Sequence, residues 1–212
     1  MTTKAIIFDY DGVLTRNGSR QGEYAAAEDA LKLAQGELYH RLWDGDGWQR
    51  VKRGQILEAE YWRAVLPECG LEAADSPHGP LAFLINEEVD QDVLSIARRL
   101  RPHYQLALLS NATLSYEARW GKFGLYDLFD VVINSARVGL AKPDREIYEL
   151  ALRELGRTPG ECLFIDDKER NTVAAEALDI PSIVFTSAAQ LEAELRARGI
   201  QLAHDVSLAP NP

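Results

Sequence analysis

The chain has 212 residues, 33 of them Asp or Glu against 23 Lys or Arg, for a net charge of −10. A globule of this length buries roughly 70% of its unfolded surface and needs neither disulfide nor structural metal to hold a core. With 46% apolar and 26% charged residues it is neither fibrous nor wholly disordered, and its acidic field opposes sequence-independent binding to nucleic acid or an anionic membrane, so no nucleic acid and no membrane partner is expected.

The first element in chain order is an apolar run at Lys4–Phe8. It is too short for a secretory segment, and a cytoplasmic location is the expectation. Further short β-prone runs follow at Gln105–Leu109, Val131–Ile133, Cys162–Ile165 and Ser182–Phe185. Their near-continuous apolarity suits strands buried on both faces, as in a parallel sheet. Helical patterns lie between them at Leu114–Phe123, Asp144–Leu155, Glu169–Leu178 and Ala188–Arg198, the last with Ser187 as N-cap. This alternation predicts an α/β fold with a doubly wound parallel sheet.

Nearly a hundred residues, roughly 10–98, separate the first strand from the second, far more than a crossover needs. They read as helix at Glu23–Leu42, Ile56–Leu66 and Val89–Leu100, with Pro67, Pro77 and Pro80 in the turns. A small α-helical module is therefore expected after the first strand, entered near Leu14–Arg20 and left near Asn86–Asp92. The expected division is a core of residues 1–14 and 93–212 with a helical cap at 15–92. The longest apolar run, Leu81–Ile85, falls far short of the ~20 residues of a membrane span. Cys69 and Cys162 have no paired spacing; two reduced thiols are expected, with one disulfide as the alternative. The four histidines have no metal-ligand spacing.

Ligands of open α/β sheets bind beyond the carboxyl ends of the strands. The first strand runs into Asp9-Tyr10-Asp11-Gly12, the second ends at Ser110-Asn111, Lys142-Pro143 follows the third, and the fourth runs into Asp166-Asp167. Four carboxylates gathered at one edge repel one another, and a hard divalent cation relieves this; oxygen-only ligands point to magnesium, Mg2+. Lys142 then supplies charge for an anionic group, and metal, lysine and hydroxyl together suit a phosphoryl group.

These four segments, in this order, resemble the four motifs of the haloacid dehalogenase superfamily. Val138–Tyr148 and Phe164–Asn171 are similar to its phosphatases with a helical cap after the first motif, the group of glucose-1-phosphate phosphatase and the N-terminal phosphatase domain of soluble epoxide hydrolase. The resemblance is strong over roughly 1–14 and 93–187; within the insert it rests on position and helicity, most of all at Trp43–Trp62. It implies a Rossmann-like core in which Asp9 is the nucleophile that forms an aspartyl-phosphate, and Asp11 protonates the leaving oxygen and then deprotonates the attacking water. It implies Mg2+ held by Asp9, the Asp11 carbonyl and Asp167, with Asp166 outside them orienting Lys142 or a water on the metal. Ser110, Asn111 and Lys142 would bind the phosphate. An aspartate at position 11 favours phosphoryl transfer, because the dehalogenase branch lacks one there.

The expected substrate is a small phosphate ester such as a sugar phosphate, with Trp43, Trp48, Lys52 and Arg53 as candidate contacts from the cap. An aromatic cluster of Trp43, Trp48, Tyr61 and Trp62 serving only as the core of the insert is the plainer alternative. A phosphosugar mutase would share all four motifs, and a non-catalytic binding module is the alternative outside enzymes. A phosphorelay receiver domain also gathers aspartates and a lysine on such a sheet but has no large insert after its first strand. Oligomeric state leaves no mark on the sequence.

Overall fold

The computed structural model describes residues 2–16, 20–71 and 88–203. Five parallel strands form one sheet: β1 (Ala5–Phe8), β2 (Gln105–Ser110), β3 (Val131–Asn134), β4 (Cys162–Asp166) and β5 (Ser182–Val184). Their order is β3-β2-β1-β4-β5, with β1 central and hydrogen-bonded to both β2 and β4. Alternate side chains of the three inner strands enter two separate apolar layers. Ile6, Phe8, Leu106, Leu108, Leu163 and Ile165 face one layer, while Ala5, Ile7, Ala107, Leu109, Cys162 and Phe164 face the other. The continuous apolar runs in the sequence have this cause: a parallel strand covered on both sides has no polar face to alternate with.

Helices α5 (Gln91–Leu100) and α11 (Ala188–Ala197) cover the first layer, α5 through Val93, Ile96, Ala97 and Leu100 and α11 through Leu191 and Leu195. Asp90 caps α5, accepting hydrogen bonds from the backbone N–H groups of Asp92 and Val93. The short helices α6 (Tyr116–Lys122) and α7 (Leu125–Leu128) add Trp120 and Leu125 to the same layer. A single turn, α8 (Ser135–Val138), follows β3. On the other face lie α9 (Arg145–Leu155), through Ile147, Tyr148, Ala151 and Leu155, and α10 (Glu169–Glu176), through Ala175.

Among its described residues, the segment between β1 and β2 carries four helices before α5: α1 (Arg20–Leu31), α2 (Glu37–Trp43), α3 (Asp46–Val51) and α4 (Glu58–Glu68). They share an apolar cluster apart from both sheet layers, built on Ala27, Leu38, Leu42, Val51, Tyr61, Val65 and Leu66. The chain leaves the sheet and returns to it along adjacent paths: Thr15 pairs antiparallel with Val89, and the Asp90 N–H donates to the Leu14 carbonyl at 2.8 Å.

The structure departs from expectation in three places here. The helix expected over Glu23–Leu42 is two helices, because Lys32 (φ 58°) and Gly36 (φ 82°) take left-handed backbone conformations between them. The buried carboxylate of Glu28 stabilises the break, accepting hydrogen bonds from the Gly36 and Leu38 N–H groups at 3.0 Å each. Helix α3 was not expected at all. Pro67 lies inside the last turn of α4 rather than in the turn beyond it. Pro77, Pro80, the run Leu81–Ile85 and the tail after His204 lie outside the described residues. Both cysteines are free and buried. Among the described residues no helix is long and apolar enough to cross a membrane.

Leu108 is fully buried in β2, whereas Leu57 at the start of α4 is 72% exposed. Leu108→Ala is expected to lower the unfolding free energy by about 3 kcal/mol. Leu57→Ala should change it by less than about 0.5 kcal/mol, both read from urea midpoints at equal m-value.

Candidate active site

Strand order β3-β2-β1-β4-β5 sets the topological switch between β1 and β4, because the chain builds outward from β1 in one direction and then crosses to its other side. A crevice opens at the carboxyl ends of such a strand pair. Asp9 follows β1, and Asp166 ends β4 with Asp167 after it. One carboxylate oxygen from each of Asp9, Asp166 and Asp167 falls within 4.8 Å of the others.

Lys142 joins two of these acids. Its Nζ lies 2.7 Å from Asp9 Oδ1 and 2.6 Å from Asp166 Oδ2, with all three residues buried. Burial by itself would lower the Lys142 pKa, but Asp166 and then Asp9 outweigh it and hold the ammonium above its ordinary value. The loop that carries Lys142 is fixed by Asn111. The Asn111 Nδ2 donates to the Lys142 carbonyl, and the Lys142 N–H donates to Asn111 Oδ1, each at 2.8 Å. Ser110 closes β2 beside it, 1% exposed.

The three carboxylates differ in what they have left to offer. Asp166 is saturated: Lys142 and the Asn171 amide donate to Oδ2, and the Lys168 N–H and the same Asn171 amide donate to Oδ1. Asp9 receives Lys142 and the Tyr10 N–H, and both contacts fall on Oδ1. Asp167 Oδ1 is buried with no hydrogen-bond partner among the described residues. Burial and then the neighbouring Asp166 hold the Asp9 carboxyl well above the usual carboxylate range, against the pull of Lys142. Asp167 is also raised, by burial first and by Asp166 and Asp11, against the pull of Lys168. A partnerless buried oxygen and two acids held above their ordinary pKa mark an electrostatic deficit. The donors are hard oxygens, so the set fits a magnesium-type cation, with Asp9 and Asp167 as the carboxylates that still have an oxygen to give.

Gly12 makes the close approach of β1 and β4 sterically feasible. Its φ is +90°, and a Cβ there would stand 2.5 Å from Asp167 Oδ2. The Gly12 N–H donates to Thr15 Oγ1, and that hydroxyl donates to Asp11 Oδ1, so the tight turn also steadies Asp11.

A cavity of about 590 Å³ opens above this edge. Asp9, Asp11, Asn111, Asp167 and Lys168 line its base. Burial would lower the Lys168 pKa, but Asp11, Asp167 and Asp9 hold it above its ordinary value. From the helical segment come Tyr24, Glu28, Tyr39, Trp43, Trp48 and Lys52, and from the core side Tyr116 and Arg170. Of the four candidate contact residues in the helical segment, Trp43, Trp48 and Lys52 line this cavity. The Arg53 guanidinium instead pairs with Asp144 at 2.6 Å and donates to Gln49, and it is not among the lining residues. The two tryptophans serve the apolar cluster as well: their rings meet edge to face at 4.6 Å, and Trp43 Nε1 donates to the Tyr24 hydroxyl at 2.6 Å.

Sequence reasoning missed Lys168, Arg170, Tyr24, Tyr39 and Tyr116. Asn171 is not among the candidates above either, although its amide spans both oxygens of Asp166. Proximity to Asp166-Asp167 was a signal for the residues at the start of α10; nothing in the sequence marked the three tyrosines.

The chain is 30% identical over 231 residues to pig bifunctional epoxide hydrolase 2, a match that covers 99% of this chain but only 41% of that protein's length. It is 26% identical over 207 residues to a sesquiterpene phosphatase of Aspergillus oryzae, covering 92% of this chain and 96% of that one. Its fold matches that of a HAD family enzyme of Bacteroides thetaiotaomicron solved with magnesium and inorganic phosphate, with a TM-score of 0.65 at 21% identity over 87% of this chain and 94% of that one. The family model for haloacid dehalogenase-like hydrolases matches residues 3–179, and the chain belongs to that family of hydrolases.

Proposed function

We propose that this hydrolase is a magnesium-dependent phosphatase acting on a small phosphate monoester, with a sugar phosphate as the first class to test. The observation that carries the reading is the Lys142 ammonium held between Asp9 and Asp166, beside an Asp167 oxygen that has no partner. That arrangement offers one carboxylate for attack, a cation for the phosphoryl oxygens and a place for a metal. The phosphatase name of the Aspergillus relative and the magnesium and phosphate of the Bacteroides structure support it.

In the proposed reaction the Asp9 carboxylate attacks phosphorus. The bond from phosphorus to the ester oxygen breaks, and Asp11 gives that oxygen its proton. Asp11 then takes a proton from a water that attacks the aspartyl-phosphate, releasing inorganic phosphate and restoring Asp9. Lys142, Ser110 and Asn111 bind the phosphoryl oxygens, and Asp166 positions Lys142. When bound, Mg2+, held by Asp9, Asp167 and the Asp11 carbonyl, would offset the repulsion between an anionic nucleophile and an anionic ester. The helical segment at 15–92 is the proposed cap, excluding water and supplying substrate contacts through Trp43, Trp48 and Lys52.

Phosphate release from a panel of phosphorylated metabolites is expected with magnesium and lost with a chelator. Asp9→Asn should abolish release while leaving the melting temperature within a few degrees of the parent. Full activity in that variant would refute the assignment, and an isomeric phosphate ester in place of free phosphate would select a mutase. Asp11→Asn should lower kcat roughly 10²- to 10⁴-fold on alkyl esters. The loss should be much smaller for 4-nitrophenyl phosphate, whose leaving group departs without a proton.

A further inference from the structure

Lys52, at the C-terminal end of α3, is only 3% exposed yet lines the cavity. No described residue gives its ammonium a hydrogen bond or an ion pair. Asp144, the acid that acts on it, is engaged by Arg53. The other acid lining that side of the cavity, Glu28, is spent on the backbone amides of Gly36 and Leu38. Burial, then the cations Arg53 and Arg170, push Lys52 down to about 8, as befits an ammonium short of a counter-charge. Arg170 on α10 reaches the same cavity and also has no described ion pair. A buried cation without a partner is costly in the free protein, and a ligand anion would remove that cost.

The phosphoryl position does not supply this anion. Lys142 serves that position, its ammonium 2.7 Å from Asp9 and 2.6 Å from Asp166 at the strand tips. Lys52 instead enters the cavity from α3 in the helical segment and pairs with none of the carboxylates at the strand tips, so it faces the part of the cavity where the organic part of an ester would lie. Trp43 and Trp48 line the same cavity and offer ring surface to a carbon skeleton.

We propose that Lys52, assisted by Arg170, is a specificity-determining residue that binds a second anionic group on the leaving group. The preferred substrates are then phosphate monoesters that also carry a carboxylate or a second phosphate. This rests on the phosphatase reading above and narrows its substrate class.

The test compares kcat/KM for 4-carboxyphenyl phosphate with that for the neutral isostere 4-carbamoylphenyl phosphate, and adds 4-(phosphonomethyl)phenyl phosphate to distinguish a carboxylate from a phosphate-like anion. The parent protein should favour at least one anionic ester by about tenfold or more, the yield of one desolvated charge-assisted hydrogen bond. Lys52→Gln should bring the ratio close to one and Lys52→Arg should retain it. Arg170→Gln, at an exposed position that does not endanger folding, should lower the ratio a few-fold. A parent ratio near one for both anions, or a ratio undiminished in Lys52→Gln, overturns the inference while leaving the phosphatase reading intact. No phosphate release from any of the three esters overturns both.

Discussion

Three carboxylates and one ammonium share a few ångströms at the carboxyl edge of a buried sheet, and much of the local structure exists to keep them there. Lys142 cannot neutralise three acids. It binds Asp9 and Asp166 at 2.6–2.7 Å, which leaves Asp167 with an oxygen that no described residue satisfies. Water would screen such a cluster on an open surface. Here Asp166 and Lys142 are 0% and 1% exposed, so their charges interact through a low-dielectric medium in which both the attraction and the residual repulsion are large.

Several distant features are responses to that constraint. Asn171 reaches from α10 to put its amide across both oxygens of Asp166, and the Tyr148 hydroxyl on α9 donates to the Asn171 carbonyl at 2.9 Å beneath it. Asn111 mimics a strand partner for the backbone of Lys142 and so ties the loop after β3 to the end of β2. Gly12 lets β1 turn with no side chain in the space that Asp167 occupies. These contacts run through β1, β2 and β4 and helices α9 and α10.

The helical segment answers to a different requirement. Its apolar cluster is separate from the sheet layers, and polar contacts fasten it to the core at defined points: Arg53 to Asp144 and Glu58 to the Thr113 hydroxyl. Gly54 approaches the Ala136 carbonyl so closely that a Cβ would stand 2.3 Å from it. The aromatic residues that give the cluster its bulk also wall the cavity, so the packing and ligand-facing readings of Trp43 and Trp48 do not compete.

The sequence by itself determined the sheet and the residues on its edge. Strands covered on both faces must be continuously apolar, which made Ala5–Phe8 and Cys162–Ile165 legible. The charged residues that end such runs can only lie at the strand tips, which puts Asp9, Asp166 and Asp167 on one edge of the sheet. Tertiary structure decided what depends on long-range partners. Glu28 breaks the helix expected over Glu23–Leu42 by bonding to amides eight and ten residues away, an interaction with no local pattern. Arg53 and Lys52 are adjacent, similar residues; only the position of Asp144 determines that one is neutralised and the other left facing the cavity. Lys168, Arg170 and the tyrosines enter the site because separate elements converge there. Periodicity reports which face of an element is buried, but not which other element will lie against it.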